Sequence, residues 1–572
     1  MPLQEEMQFI PFQGVIKTDP SGGRLFIYKF VVAPDVNRSS MPKTPVIRNI
    51  FKHTAIYAFG LILQKAIGFL MLPVYANYLG AEGYGIVGMI DVVVSIMTVS
   101  VGYGIGAGMR RFYFERETDT EKKTLVSTCI IVMFLLVMAV SLPTLLFSGP
   151  ISRFMLGSVE MGGYYVAIAI LTFICDMTST SAGGYIMIKE QSKLYSTLSF
   201  SRFFFGLLFN IYFIVVLERG ILGLLLSNLI TSFIYSVVVH YYTLKQVGIR
   251  YEKRDAKEII RYSLPLLPGS FAMLVRNDVD KFILRMFMGL SQIGTYCMLT
   301  NFSSIITNLV VQPFLNIWNV KAFEICETED GPQVMANVFT LQLSIMLFVG
   351  LILSVEIPLI LKVTAPKEFW VPSLYAFLAV FSRILFSAYY SLNFGLAYAK
   401  LTHKISNIQI ATALLSVVLN YLTIRHFGLV GALASSCAVF LAQCIMAYYM
   451  SDKLYHIPFE WRKISWLLLI FMLLFFGIDS FTLSYLGLPS DGIIYKTIAT
   501  DFFSAMHLSF FLKSKIFVHI IMSLNLVMDA LAKLLLCLLF IVAAVLLGVI
   551  KKENIMDPVY AIFEKFGLRF SK

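Results

Sequence analysis

Six basic side chains lie inside stretches that are otherwise apolar: Lys65, Arg202, Arg276, Lys281, Arg383 and Lys533. Each would cost roughly 2.5 to 3.5 kcal/mol at the centre of a bilayer. They therefore belong in a hydrated cavity or beside an acid, and Asp91, Asp176, Asp278, Asp280 and Glu356 are the acids in the same kind of stretch. An excess of sheltered cations suits an anionic substrate, because a guanidinium grips phosphate oxygens with a planar fork and an ammonium supplies a point charge. The densest arrangement is LVRNDVDKFIL, where Arg276 and Asp280 are four apart, as are Asn277 and Lys281, so each pair shares a helical face. Two outcomes stand for this segment: contact with substrate, or neutralisation of Arg276 by Asp280 and of Lys281 by Asp278. Asp91 and Asp176 are candidates for a coupling cation or for pairing with a basic neighbour. Just upstream, Pro265, Pro268 and Gly269 remove backbone donors and side-chain packing, which marks a candidate hinge.

The elements that must hold these residues are membrane helices. Of the 572 residues 58% are hydrophobic and 14% charged, and the mean hydropathy is +0.78, outside the range of a soluble domain. Runs of some twenty apolar residues give about fourteen candidate spans. Six lie near Thr54 to Asn77, Ile86 to Gly108, Thr124 to Phe147, Tyr164 to Ile188, Ser196 to Leu217 and Ile221 to Leu244. Six more lie near Ser263 to Arg285, Ile293 to Trp318, Val334 to Leu361, Val371 to Phe394, Ile405 to Ile424 and Leu429 to Met450, and two follow near Trp466 to Leu486 and Leu526 to Ile550.

The two groups of six are a duplication. Gly80 and Gly85 are answered by Gly289 and Gly294 about 209 positions later, and Gly220, Gly223, Ser227 and Tyr241 by Gly428, Gly431, Ser435 and Tyr449 about 208 later. The expected fold is all-α, with two six-helix lobes and two carboxyl-terminal helices. Twin bundles of this kind usually build a transporter with the solute path between them. The expected domains are a leader over 1–50, lobes over 51–244 and 263–450, a charged linker over 245–262, and a carboxyl-terminal part over 451–572 with an outer-face insertion. Met41 begins the basic segment MPKTPVIRNIFKH and is an alternative start.

The net charge of +12 does not point to nucleic acid, because Lys and Arg collect in alternate short loops, the signature of positive-inside topology. On this count both termini are cytoplasmic, and the linker YEKRDAKEIIRYS is either an amphipathic surface helix or a merely solvated loop. Arg110 and Arg111, at the end of the second span, fit the same topology. Seven Cys without CxxC spacing indicate neither a disulfide framework nor zinc, and the seven His form no HExxH. No metal or other cofactor is expected. Without GxxxxGK[ST] there is no ATP-binding loop, and GYGIGAG ends an apolar helix, where Gly102 and Gly106 have the spacing for close helix packing.

The run AIYAFGLILQKAIGFLMLPVYANYLGAEGYGIVGMI, then GMRRFYFERE, with SLPLLPG leading to DKFIL, resembles the bacterial polysaccharide flippases of the multidrug, oligosaccharidyl-lipid and polysaccharide exporter superfamily. The elements are Leu72 and Pro73, Tyr78 to Gly80, Tyr84 and Gly85, and Arg111 to Glu115. The resemblance implies translocation of a lipid-linked oligosaccharide across the bacterial inner membrane, an anionic glycan lipid and membrane lipid as partners, and other glycan-assembly membrane proteins beside it. It also places the first helix beside the lumen, which makes Lys65 and Arg202 phosphate contacts, with snorkelling as the alternative. A drug or organic-cation antiporter of the same superfamily, and a membrane-bound polymerase or ligase acting on lipid-linked sugar, are the competing readings.

Overall fold

A computed structural model describes residues 15–18, 24–27, 71–102, 104–485, 533–546 and 548. Lys65, most of the first expected span, the segment 487–525 and the ends of the last span lie outside the described residues. In the amino-terminal unit, β1 (Val15–Thr18) and β2 (Arg24–Ile27) pair antiparallel, Val15 opposite Ile27.

The rest is helical. The first lobe contains α1 (Leu72–Val101), α2 (Gly104–Glu115), α3 (Asp119–Leu146), the short α4 (Ser148–Leu156), α5 (Gly162–Ile188), α6 (Ser192–Asn210) and α7 (Gly220–Val247). The linker forms α8 (Lys253–Ser263). The second lobe contains α9 (Leu267–Phe287), α10 (Leu290–Ile305), α11 (Gln312–Ile325), α12 (Gly331–Thr364), α13 (Ser373–Leu392), α14 (Phe394–Tyr398) and α15 (Thr402–Asp452). α16 (Trp461–Tyr485) and α17 (Lys533–Leu546) follow. Among the described residues nine helical stretches are long and apolar enough to cross a membrane. The expected spans over Ile405 to Ile424 and Leu429 to Met450 are the two halves of α15, which break apart at Gly428 (φ +57°, ψ −130°).

The repeat is visible as geometry. Gly220 and Gly428, matched in the duplication, both have positive φ, +53° and +57°, and each turns the chain where the last helix of a lobe begins. Gly85 and Gly294 meet each other across the lobes. A Cβ on Gly85 would lie 1.9 Å from the Leu290 carbonyl oxygen, and one on Gly294 would lie 1.8 Å from the Ala81 carbonyl oxygen. Ala81 and Leu290 are themselves 209 apart, so the contact is reciprocal, as a local two-fold between α1 and α10 requires. Absent side chains let the backbones approach, the usual device where lipid supplies no hydrophobic drive between helices. Nearby, the Ala81 N–H left free by the break at Gly80 donates to Glu368 Oε2 at 3.2 Å, and Asn77 donates to the Thr364 carbonyl at 2.7 Å.

Two local expectations are revised. The close-packing glycines of GYGIGAG are Gly104 and Gly108, against Ser263 and Tyr262 of the linker, while Gly102 (φ +95°) breaks the helix and Gly106 meets only the Arg110 side chain. Pro265 lies in a single 3₁₀ turn, Leu264–Leu266, and Pro268 in the first turn of α9, where its missing N–H is not needed. These residues separate α8 from α9 and leave the body of α9 unkinked.

Candidate functional site

The polar residues of α1, α5, α6 and α7 converge inside the first lobe. Asp91 and Thr98 come from α1, Thr172 and Asp176 from α5, Arg202 and Asn210 from α6, and Asn228, Thr231 and Ser232 from α7; together with apolar neighbours they line a cavity of about 650 Å³. Their spacings are helical. Thr172 and Asp176, and Asn228 and Ser232, are four apart, and Asp91 and Thr98 seven apart, so each helix turns one polar stripe to the same space.

Arg202 is the centre of this set. Its Nη2 donates to Asp176 Oδ1 at 2.6 Å and to Ser232 Oγ at 3.0 Å, and its guanidinium stands 4.9 Å from the centre of the Tyr235 ring. The two side chains remain 32% and 38% exposed, so the pair is wet rather than sealed. Asp91 lines the same cavity and feels the charges of Lys281 and Asp278 on α9.

α9 divides its charges between separate surroundings. Lys281 Nζ pairs with Asp278 at 2.7 Å within the helix. Asp280 is buried and accepts from the Tyr296 hydroxyl of α10 and from the Lys281 backbone N–H at 2.7 Å. Arg276 does not pair with Asp280; it is buried between the rings of Phe386 and Phe440, 5.5 and 5.7 Å from their centres. Of the two pairings expected within this segment, the one between Asp278 and Lys281 forms and the other does not. Glu356 and Lys533 belong to α12 and α17, away from these positions in the chain order.

Of the two placements expected for these cations, a hydrated cavity or a position beside an acid, Arg202 has both, Lys281 has the second and Arg276, among the described residues, has neither. Among the described residues Arg202 is matched by Asp176, Lys281 by Asp278, and Arg276 is withdrawn into the second lobe. The charged residues lining the described cavity are Asp91, Asp176 and Arg202, one more acid than base, so the cavity is polar and not electropositive. Asn210, Asn228, Thr98, Thr172 and Ser232 were not singled out from the sequence. The signal that would have found them is polar residues at three-, four- or seven-residue spacing inside apolar runs.

At the end of the molecule that carries the linker, Arg116 donates to both Asp255 and Glu258 at 2.7 Å, and α8 buries Ala256 and Ile259. Arg111 is exposed and pairs with Glu115 at 3.2 Å.

Residues 50–316 match the family described as polysaccharide biosynthesis protein. Lsg locus putative protein 1 of Haemophilus influenzae is 22% identical over 262 residues, 44% of this chain and 60% of that protein. A probable low-salt glycan biosynthesis flippase of Haloferax volcanii is 22% identical over 467 residues, 76% of this chain and 93% of that protein. The fold is that of a lipid II flippase solved in an inward closed conformation: TM-score 0.65 at 12% identity, covering 85% of this chain and 98% of the other. The resemblance read from the LP, YLG and RFYFE elements is borne out by these matches.

Proposed function

We propose that this chain, whose residues 50–316 match the polysaccharide biosynthesis protein family, is a flippase carrying a lipid-linked oligosaccharide from the cytoplasmic to the outer leaflet by alternating access. The observation that carries the reading is the polar cavity of about 650 Å³ sunk among helices otherwise composed for lipid. Its amides and hydroxyls, from Asn210, Asn228, Thr98, Thr172 and Ser232, offer paired donors and acceptors of the kind that replace water around sugar hydroxyls. The wet Arg202 and Asp176 pair adds a charged donor and a charged acceptor. The prenyl tail stays in lipid while the two lobes rock against each other, parting along the glycine contact between α1 and α10.

In this reading Arg202 and Lys281 are the cations nearest the head group, Lys65, outside the described residues, is a further proposed phosphate contact, and Asp280 fixes α9 through Tyr296. Asp91 and Asp176 are the proposed ligands of a coupling cation, and the Pro265, Pro268 and Gly269 segment is the proposed hinge. No covalent step is assigned; the task is transport. Both termini are cytoplasmic in the proposed orientation, the membrane is the bacterial inner membrane, and glycan-assembly membrane proteins are the proposed neighbours. One observation favours the organic-cation antiporter as a second reading: Asp91 lines the cavity and forms no ion pair among the described residues.

The test is translocation in reconstituted vesicles. A fluorescent lipid-diphosphate oligosaccharide should cross with the wild-type chain, and Arg202→Gln combined with Asn228→Ala should slow it by about tenfold or more, equal to about 1.4 kcal/mol of lost stabilisation. Lys321→Gln, at an exposed surface pair, should leave the rate unchanged. Movement of an organic cation such as ethidium with no movement of the glycan lipid would replace this reading by the second.

A further inference from the structure

Among the described residues Arg276 is a cation without an anion: it is 6% exposed, and its Nε and Nη1 find no hydrogen-bond partner there. Among the described residues the ionisable groups acting on it are the phenols of Tyr389 and Tyr390, and no carboxylate forms an ion pair with it. Asp280, one turn further along α9, is engaged by Tyr296 and by the Lys281 backbone. The flanking faces of Phe386 and Phe440 attract the guanidinium, but a ring quadrupole offsets only part of a desolvated charge.

Around Arg276 other donors are in the same condition. The Tyr389 hydroxyl, on a residue 4% exposed, closes no hydrogen bond, although the amides of Gln409 and Gln443 lie beside it. Gln443 is fully buried, and among the described residues neither its Nε2 nor its Oε1 closes a hydrogen bond of good geometry, although the Tyr389 hydroxyl is within reach. Three helices, α9, α13 and α15, thus bring together a guanidinium, a phenol and a carboxamide, Tyr389 standing next to both Arg276 and Gln443, and buried polar groups left unmade are costly. All three offer donors, Gln443 also presents its carbonyl as an acceptor, and their net charge is positive. A water molecule would satisfy hydrogen bonds and leave the charge uncompensated; an anion takes the donors and compensates the charge.

We propose that Arg276, Tyr389 and Gln443 form a binding site for one small anion inside the second lobe, separate from the Arg202 cavity. The ligand class is a halide or a phosphoryl group, and the phosphoryl group has two sources, free inorganic phosphate or the diphosphate of a prenyl carrier. Arg276 supplies the charge, and Tyr389 and Gln443 supply neutral donors that select a compact anion over a carboxylate-bearing chain.

The experiment is a melting-temperature titration of the full chain in lipid nanodiscs at constant ionic strength. Bromide, inorganic phosphate and farnesyl diphosphate are added in separate arms against gluconate. A saturable rise in melting temperature is expected in at least one arm. Response to bromide or phosphate identifies a free anion, and response to farnesyl diphosphate alone identifies the lipid phosphoryl group. Arg276→Gln should abolish the rise, Arg276→Lys should retain part of it, and Tyr389→Phe should weaken the apparent Kd by about tenfold. Tyr389→Phe decides the matter if Arg276→Gln does not fold. No saturable rise in any arm of the wild type, or an unchanged rise in Tyr389→Phe, overturns the site. Because the readout is binding and not translocation, its failure is distinguishable from failure of the flippase reading.

Discussion

Arg202 and Asp176 are the pair whose removal discriminates most sharply between a structural and a transport role. Each is about one-third exposed, so the Coulomb attraction is screened and the pair contributes modestly to stability, on the order of 1 kcal/mol. Arg202→Gln alone should therefore lower the unfolding free energy by about that amount while reducing glycan translocation much more. The double variant Arg202→Gln with Asp176→Asn should recover the stability and not the transport, measured by melting in detergent and by vesicle assay. Asp280 is a different case. It is 7% exposed and takes the Tyr296 hydroxyl, so Tyr296→Phe removes one donor from a buried carboxylate and should cost about 1 to 3 kcal/mol in chemical denaturation. A loss well below that range would mean that Asp280 is carried uncharged.

The helices owe their breaks and contacts to a few positions. Gly80 (φ +68°, ψ 177°) and Gly428 (φ +57°, ψ −130°) occupy regions that side-chain-bearing residues avoid, and Gly428 also faces the Met288 side chain. Gly428→Ala should destabilise by about 1 to 3 kcal/mol and, by straightening α15, should displace the turn that separates its two halves. Folded yield and melting temperature read the first effect. The acids of the linker helix are held by one basic residue: Arg116, 15% exposed, grips Asp255, 8% exposed, and Glu258. Arg116→Ala strands the Asp255 carboxylate and should cost about 3 kcal/mol, seen as early proteolysis within 250–266 before global unfolding. This coupling explains why so charged a segment folds onto the bundle: its acids face inward to Arg116, and its remaining cations face out.

For the whole molecule the decisive feature is the seam between lobes. A Cβ on Gly88 would lie 3.6 Å from Cys297 Cβ, within the range of a disulfide, and the two positions are again 209 apart. Gly88→Cys should therefore crosslink to Cys297 on mild oxidation, arrest translocation and release it on reduction. Crosslinking without arrest would show that the lobes do not separate along this seam. The seam also limits what the chain could disclose in one dimension. The pairing of Asp278 with Lys281 was readable because both partners lie within one helical turn. The escape of Arg276 from Asp280 was not, because Tyr296, Phe386 and Phe440 come from other helices and compete for the same two side chains.

Composition and periodicity alone determined that the chain is a predominantly helical membrane protein with an internal repeat, since a bilayer admits few other ways to satisfy a backbone and the repeat is written at matched glycines. They also carried the family resemblance. The tertiary structure alone decided which polar residues share a space: Arg202 with Asp176 and Asn228 in one cavity, Arg276 with Tyr389 and Gln443 in another region. Charge compensation is a property of distances between helices, set by rotation and crossing of each element, and spacing along a single helix fixes only the face a residue occupies.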